Sequence, residues 1–244
     1  MRRTAATLLA VLTALVVLQP LPPGASAAGA AGAAGSTGPF TLDVPDEVLY
    51  PGCSSYTFTL DPALPAAAEG WYLDLTVRGP GGVVVHEDYL SDHYSTDEYW
   101  DHMWICSADT KPGKFTMKAT GAWRDADWED TPISFSATFS LRLPRSVTTL
   151  QAVNANPRPH TWAKLKTLVV AETRRGLDAS RFAPVFLQRL RDGRWVRVRG
   201  SRLLTDKYGE ATFRYRYRGG RVSLRAKATP AEVTPSTSLR VVLR

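Results

Sequence analysis

Apolar and polar residues alternate along short segments of the chain, which is the pattern of strands that bury one face. The clearest case is EATFRYRYR at 210–218, where apolar side chains occupy every second position. Turn-forming pairs separate such segments, and we interpret Asp192-Gly193 and Gly219-Gly220 as tight turns between neighbouring strands. The spacing of these strands predicts an all-β protein built of Greek-key sandwiches.

The candidate strands follow one another at short intervals, and no helical period of useful length lies between them. Along the chain they are FTLDV, SYTFTL, WYLDLTV, GVVVHEDYL, KFTMKATGAW, ISFSATFSLRL, VTTLQAVN, TWAKLKTLVVAE, APVFLQRL, RWVRVRG, EATFRYRYR, GRVSLRAKA and SLRVVLR. The last seven suit a single Greek-key sandwich.

Charge divides the chain into two parts. Residues 39–143 carry 17 Asp and Glu against 6 Lys and Arg, whereas residues 144–244 carry 22 Lys and Arg against 6 Asp and Glu. Each part has the length of a small domain. We therefore predict two tandem sandwich domains with these bounds, one acidic and one basic, that present different surfaces.

The N-terminal segment is typical of an export signal. An arginine pair precedes an apolar run at 5–18, and small residues follow at 25–27. We predict a signal peptide over 1–27, an Ala/Gly-rich linker over 28–38, and a protein that is secreted and extracellular or cell-wall associated. The apolar run is shorter than the roughly 20 residues that cross a bilayer, so no transmembrane segment is expected.

Cys53 and Cys106 are the only cysteines, and an even number in an exported chain predicts a disulfide between them. With Trp71 they stand in the order and approximate spacing of the immunoglobulin cysteines and core tryptophan, so the acidic part resembles that family in three residues. It departs from the family two residues before the second cysteine, where Trp104 stands in place of the corner tyrosine.

The basic part resembles the bacterial immunoglobulin-like modules of exported actinobacterial proteins. The resemblance is carried by LQR, the isolated Trp195, the Asp-Lys-Tyr-Gly turn and the strand RVSLRAKA, all between Val185 and Ala228. It implies an immunoglobulin-like Greek-key sandwich that serves as a spacer or adhesion unit. It also implies no shared catalytic residues.

Strand alternation puts most cations of the basic part on outward positions, in both sheets of the predicted sandwich. We interpret them as an anion-binding surface, because genome bias toward arginine does not explain the scarcity of acids nearby. An ordinary solvated face is the competing interpretation. The candidate anion-binding residues are Lys164, Lys166, Arg197, Arg199, Arg214, Arg216, Arg218, Arg221, Arg225 and Lys227.

A metal site is a second hypothesis, since the stretch HEDYLSDHYSTDEYWDHMW at 86–104 concentrates carboxylates and histidines. Carboxylates suit a structural calcium ion, and histidines with one carboxylate suit zinc. The spacing matches no known metal motif, so a polar loop before the second cysteine is the alternative. The candidate ligands are Asp88, Asp92, Asp97 and Asp101 for calcium, and His86, His93 and His102 with Asp92 for zinc. No other cofactor is expected.

No nucleophile elbow, phosphate-binding glycine loop or zinc-protease helix occurs, so we predict no enzyme. The expected function is that of a secreted, non-catalytic binding or spacer protein of the cell envelope, whose arginine-rich sandwich engages an anionic cell-wall polymer or an acidic protein surface. Nucleic acid is not an expected partner. One alternative is a self-assembling structural protein that pairs its acidic and basic halves. The other is a glycoside hydrolase that uses two carboxylates from distant strands.

Overall fold

A computed structural model describes residues 38–92 and 102–244. Strands dominate these residues, with a short 3-10 turn at Pro80–Gly82 and no α-helix among them. The all-β prediction is confirmed. The predicted signal peptide, and all of the predicted linker except Gly38, lie outside the described residues.

The first sandwich covers residues 40–142. Its strands are β1 (Phe40–Asp43), β2 (Glu47–Val48), β3 (Cys53–Thr57), β4 (Thr59–Pro62), β5 (Ala68–Arg78), β6 (Val84–Ser91), β7 (His102–Cys106), β8 (Gly113–Asp125) and β9 (Asp130–Arg142). One sheet has the order β2-β9-β8-β5-β6, in which only the β2–β9 pair is parallel. The pairs β1–β4 and β3–β7 are two separate two-stranded sheets. Their buried residues share one core with the five-stranded sheet, and we call these two pairs the facing layer.

The inward positions of these strands fill one hydrophobic core. Leu73, Leu75 and Val77 alternate with outward residues along β5 and are almost completely buried. Packing between the central strands is close, because a Cβ built at Gly121 of β8 would lie 1.9 Å from the carbonyl oxygen of Tyr72 on β5. Glycine is therefore required where these two strands meet.

The predicted disulfide between Cys53 and Cys106 is present. The two cysteines lie directly opposite each other on the paired strands β3 and β7. In immunoglobulin domains the corresponding bond joins the two sheets beneath a core tryptophan. Here it links neighbours within one layer, on the side away from the core, and Trp71 packs instead against Phe40, with ring centroids 5.4 Å apart. The resemblance of the acidic part to immunoglobulins does not extend to the disulfide.

The second sandwich covers residues 146–243. Its strands are β10 (Ser146–Ala152), β11 (Trp162–Thr173), β12 (Gly176–Ala179), β13 (Pro184–Arg191), β14 (Arg194–Arg197), β15 (Leu203–Leu204), β16 (Glu210–Arg216), β17 (Val222–Ala228), β18 (Ser236–Thr237) and β19 (Val241–Leu243). In the four-stranded sheet, β11 pairs with β10, β12 and β16. In the six-stranded sheet, β13 pairs with β14, β15 and β17, and β17 pairs in turn with β18 and β19.

The two predicted glycine turns behave differently. Asp192 and Gly193 have φ of 51° and 75° and join β13 to its neighbour β14, as expected. Gly219 and Gly220 connect β16 to β17, which belong to different sheets, so the prediction of a turn between paired strands is wrong there. Both strands bury an apolar face against the same core, and the chain has to cross from one sheet to the other to achieve this. The Tyr217 hydroxyl donates a hydrogen bond to the Gly220 carbonyl at 2.8 Å.

Buried hydrophobic residues fall into two separate clusters, one in each sandwich. Two clusters are what a two-domain chain requires. The predicted division between residues 143 and 144 stays a prediction.

A polar contact links the two sandwiches beside the short connection between β9 and β10. Arg142 of β9 donates two hydrogen bonds to the Glu172 carboxylate of β11, at 2.7 and 2.9 Å, and the Arg145 amide donates a third at 2.9 Å. These hydrogen bonds, above all those from Arg142, lower the pKa of Glu172 to about 2 although partial burial acts in the opposite direction. Arg174 also reaches across, donating to the Ser55 carbonyl at 2.9 Å.

Candidate functional site

The outer face of the four-stranded sheet carries a cationic ladder. Lys164 on β11 lies opposite Arg214 on β16, and Trp162 lies opposite Arg216. All four side chains are exposed, as is Lys166. Buried and exposed residues alternate strictly along β16 from Ala211 to Arg216, so the neighbours of these side chains face the core. The strand pairing thus brings together side chains that are about 50 residues apart in sequence, at the roughly 5 Å spacing of neighbouring strands.

The outer face of the six-stranded sheet combines cations with aromatic rings. Gln188 of β13 lies between Arg197 of β14 and Arg225 of β17, and the Arg225 Nε donates to the Gln188 Oε1 at 2.8 Å. The Arg225 guanidinium lies 4.4 Å from the centre of the Trp195 ring, and Arg197 lies 4.7 Å from that of Phe186. These contacts hold the arginines against the sheet by cation–π attraction.

Three of the predicted anion-binding residues lie outside the strands. β16 ends at Arg216, β17 begins at Val222 and β14 ends at Arg197. Arg199, Arg218 and Arg221 therefore sit in the connections that follow or precede these strands, where they are exposed. Both outer faces carry cations at the alternating positions. Fewer of the ten residues lie on the strands than predicted, because the pleat that aligns side chains stops where strand pairing stops.

Shallow concave surfaces flank the exposed Trp162. One has a volume of about 380 Å³ and is lined by Trp162, Lys164, Thr212 and Arg214. Its neighbour, of about 320 Å³, adds Arg158 from the loop before β11. The Arg214 guanidinium lies 5.8 Å from the Trp162 ring centre. An apolar platform with cations on both sides suits a flexible anionic chain better than a compact ligand.

The four calcium candidates do not come together in the part of the chain that the structure describes. Asp97 and Asp101 lie outside it. Asp88 and Asp92 are four residues apart on and just beyond β6, which corresponds to roughly 13 Å along an extended strand, too far to share one ion. Within residues 38–92 and 102–244, no three His, Cys, Asp or Glu side chains are grouped to hold a metal. The calcium hypothesis stays a prediction.

The zinc hypothesis relied on histidines, and His93 lies outside the described residues. His86 is half-buried, and burial lowers its pKa against the opposing effect of Asp88, whose Oδ2 lies 3.9 Å from the His86 Nε2. Burial thus favours a neutral imidazole, since the charged form loses hydration. His102 lies on β7, opposite Thr57.

Sequence reasoning missed a pocket in the first sandwich. It has a volume of about 280 Å³ and lies at one end of the five-stranded sheet. Tyr72, Tyr89 and Trp128 line it, together with Arg124 and Asp125. These residues come from three separate segments, so no single stretch of sequence marks the pocket. One local signal was available: the turn DADWE has a tryptophan where the related turn DKYGE has a glycine.

No protein-family profile matches this chain, and no curated protein resembles it. Solved structures with similar strand arrangements include a tetra-tandem repeat in the extending region of a large adhesion protein, with 17% identity, a TM-score of 0.35, and 86% of this chain and 50% of that chain covered. The fibronectin(III)-like modules of Clostridium thermocellum CbhA are 12% identical, with a TM-score of 0.30 and coverage of 84% and 94%. Yersinia pseudotuberculosis adhesin InvE is 16% identical, with a TM-score of 0.32 and coverage of 86% and 60%.

This chain therefore spans half the length of the adhesion-protein structure that it matches. Similarities at this level carry no argument about function and define no family for the chain. Among the described residues, no helix is long and apolar enough to cross a membrane.

Proposed function

We propose that this chain is an exported, non-catalytic binding or spacer protein of the cell envelope, whose second sandwich engages an anionic polymer. The observation that carries the proposal is the cationic ladder on the four-stranded sheet, where Lys164 and Arg214 face each other beside the exposed Trp162. The disulfide between Cys53 and Cys106 fits an oxidising, extracellular location.

The charges of the ladder are available to a ligand. None of the ion pairs formed by the described residues involves any of the ten candidate anion-binding side chains. Outward residues on one strand repeat every two positions, or roughly 7 Å, and neighbouring strands lie roughly 5 Å apart. A polymer with closely spaced negative groups can contact several cations at once, and this gives affinity although each exposed pair contributes little.

Self-association through opposite charges is the second candidate function. Within one chain it finds no support among the described ion pairs, because the one that joins the sandwiches has the opposite polarity: Arg142 comes from the acidic part and Glu172 from the basic part. Pairing between chains remains as a rival and predicts assembly that grows with protein concentration.

The experiment is cosedimentation of the chain without its predicted signal peptide with bacterial cell walls, over a salt series. The walls are tested before and after their anionic polymers are removed. We expect binding that disappears with the polymers and weakens as salt rises, since the Debye length falls to about 8 Å near physiological ionic strength. The ladder variant combines Lys164→Glu, Lys166→Glu, Arg214→Glu and Arg216→Glu, and should lose binding.

A matched control separates the ladder from net charge. It combines Arg175→Glu, Arg181→Glu, Arg202→Glu and Arg240→Glu, which are exposed cations outside the ladder and alter the net charge equally. The control should keep most of the binding. Equal loss in both variants, or binding that survives removal of the polymers, would contradict the proposal. Sedimentation velocity without walls tests the rival, because concentration-dependent assembly abolished by salt would favour self-association.

A further inference from the structure

The aromatic pocket of the first sandwich is built around a tryptophan in an unfavourable backbone conformation. Trp128 lies in the turn between β8 and β9 with φ of 64°, and 73% of its surface is exposed. Left-handed φ is rare for a bulky residue, and exposure of a large ring loses the benefit of burial. Both features cost free energy, and backbone outliers of this kind are concentrated at ligand-binding sites.

A second turn of the same design shows that the fold does not require tryptophan there. In the Asp125 turn, the side chain of Asp125 accepts hydrogen bonds from the amides of Asp127 and Glu129, both at 3.0 Å. In the turn that precedes β16, Asp206 accepts from the amides of Tyr208 and Glu210 at 2.8 and 2.9 Å.

The backbone bonds of the two turns also correspond. The fourth residue of each turn donates its amide to the carbonyl of the first, from Trp128 to Asp125 and from Gly209 to Asp206. The left-handed position is thus Trp128 in one turn and Gly209, with φ of 73°, in the other. Glycine adopts this conformation without strain, so the first turn carries a side chain that the second does without.

Neighbouring groups hold the Trp128 ring in place. The Arg124 guanidinium lies 5.4 Å from the ring centre, and Asp130 fixes that guanidinium through two hydrogen bonds, at 2.8 and 3.2 Å. Tyr72 stacks on Tyr89 with ring centroids 6.4 Å apart. The aromatic wall of the pocket is therefore organised before any ligand arrives.

The backbone of β5 is irregular where it lines the pocket. The pairing of β5 with β8 shifts register between Ala68 and Gly70, which leaves Glu69 as an extra residue that lines the pocket. A Cβ built at Gly70 would lie 3.0 Å from the Asp92 Oδ2, so the missing side chain lets that carboxylate lie close to the strand.

The charges of the pocket identify the class of ligand. Among the described residues, Glu69 and Asp125 line it together with one cation, Arg124, which already pairs with Asp130. Excess carboxylate opposes an anionic ligand. A cationic ligand would have to compete with the Arg124 guanidinium, which already occupies a face of the Trp128 ring. A neutral ligand that has apolar faces for the rings and hydroxyl groups for the carboxylates fits both conditions.

We propose that this pocket binds a neutral saccharide, with a sugar ring stacked on Trp128 and Tyr89 and its hydroxyl groups bonded to the carboxylates and Arg124. The volume of about 280 Å³ is close to the lower end of the range for small-ligand sites, roughly 300–1,000 Å³. The site is distinct from the cationic ladder of the second sandwich and does not depend on its function.

The test is isothermal titration calorimetry of the chain without its predicted signal peptide, with neutral gluco-, xylo-, manno- and chito-oligosaccharides as ligands. Hyaluronate oligomers and choline chloride serve as the anionic and cationic comparison ligands. We expect at least one neutral series to bind, and Trp128→Gly to weaken its binding roughly tenfold or more, as for an aromatic side chain at the centre of a contact. Because glycine relieves the left-handed strain, this variant should melt at or above the temperature of the parent protein.

Two further variants separate the pocket from general effects. Trp104→Ala removes another exposed tryptophan, on β7 of the facing layer, and should bind like the parent. Tyr89→Ala should weaken binding without any change in the turn. The proposal is overturned if no neutral series binds at millimolar concentration, if choline or hyaluronate binds in preference, or if Trp128→Gly binds like the parent. New reducing ends released from a bound oligosaccharide would overturn it in favour of hydrolysis.

Discussion

The two sandwiches share a layered design but use their outward positions in opposite ways. The first has a disulfide, more acidic than basic side chains, and an aromatic pocket at the end of one sheet. The second has no cysteine and presents cations on both outer faces, several of them stacked on aromatic rings. The inward positions of both are mostly apolar. Charge thus varies freely on the face that water solvates, while burial constrains the other face.

The contact between the sandwiches adds a second lesson. Summed charge predicts that carboxylates of the first part meet arginines of the second, whereas the observed pair joins Arg142 of the first to Glu172 of the second. Local geometry decides the contact, because an arginine and a carboxylate at hydrogen-bond distance interact more strongly than distant, solvent-screened charges.

Removal of the disulfide should have the largest effect and should fall on one sandwich only. The bond closes a loop with a sequence separation of 53 residues, and the chain-entropy relation gives a loss of about 4 kcal/mol for the double variant Cys53→Ser, Cys106→Ser. Differential scanning calorimetry should resolve two transitions, of which only one moves. Reduction of the parent protein is the control and should shift the same transition. A shift of both transitions would mean that the sandwiches unfold as one unit.

A pair of glycine substitutions should have the next largest effect, one in each sandwich. Alanine at Gly121 would bring a Cβ to 1.9 Å from the Tyr72 carbonyl, and alanine at Gly209 would bring one to 2.4 Å from the Val169 carbonyl. Because the clashing atoms are backbone, relief requires strand movement, and we expect about 2 kcal/mol of destabilisation for each. Chemical denaturation should show that each variant weakens its own sandwich and acts as the control for the other. Unchanged stability in either variant would contradict the close approach of the strands.

The Arg142–Glu172 contact should have the smallest effect, and that effect should depend on pH. The pKa of Glu172 is lowered to about 2, so the contact stabilises the folded chain above the ordinary carboxyl pKa of 4.5 and is lost as pH falls toward 2. Glu172→Gln should therefore lower the melting temperature at pH 7, by an amount that vanishes near pH 2.

The exposed Glu87 of β6 provides a matched control. Glu87→Gln removes the same type of charge away from the contact and should change the melting temperature little at any pH. A difference between Glu172→Gln and the parent that persists unchanged at pH 2 would show that the ion pair is not its cause.

Much of the strand pattern was predictable, because inward and outward positions alternate along each strand regardless of the partner. The alternation in EATFRYRYR correctly oriented Phe213 and Tyr215 inward and Arg214 and Arg216 outward. The same local information could not tell that Gly219 and Gly220 join strands of different sheets. A turn looks alike in sequence whether the chain folds back beside itself or crosses a core, since the difference lies in distant partners.

The candidate surfaces differ in how far sequence could find them. The cationic ladder was visible because strand periodicity alone separates Lys164 and Arg214 from the core. The aromatic pocket was not, since Tyr89 and Trp128 belong to segments that only the sheet order β8-β5-β6 brings together. The unusual DADWE turn was the one local trace of it.

The sequence by itself determined the all-β character, the pairing of the only two cysteines, the faces of the strands and the segregation of charge. Periodicity, composition and a unique cysteine pair contain this information without reference to distant contacts. Only the tertiary structure decided that the disulfide lies within one layer, that Arg142 and Glu172 join the sandwiches and that Tyr72, Tyr89 and Trp128 line one pocket. Each of these depends on strand register and sheet order, which arise from packing between residues that are far apart in the chain.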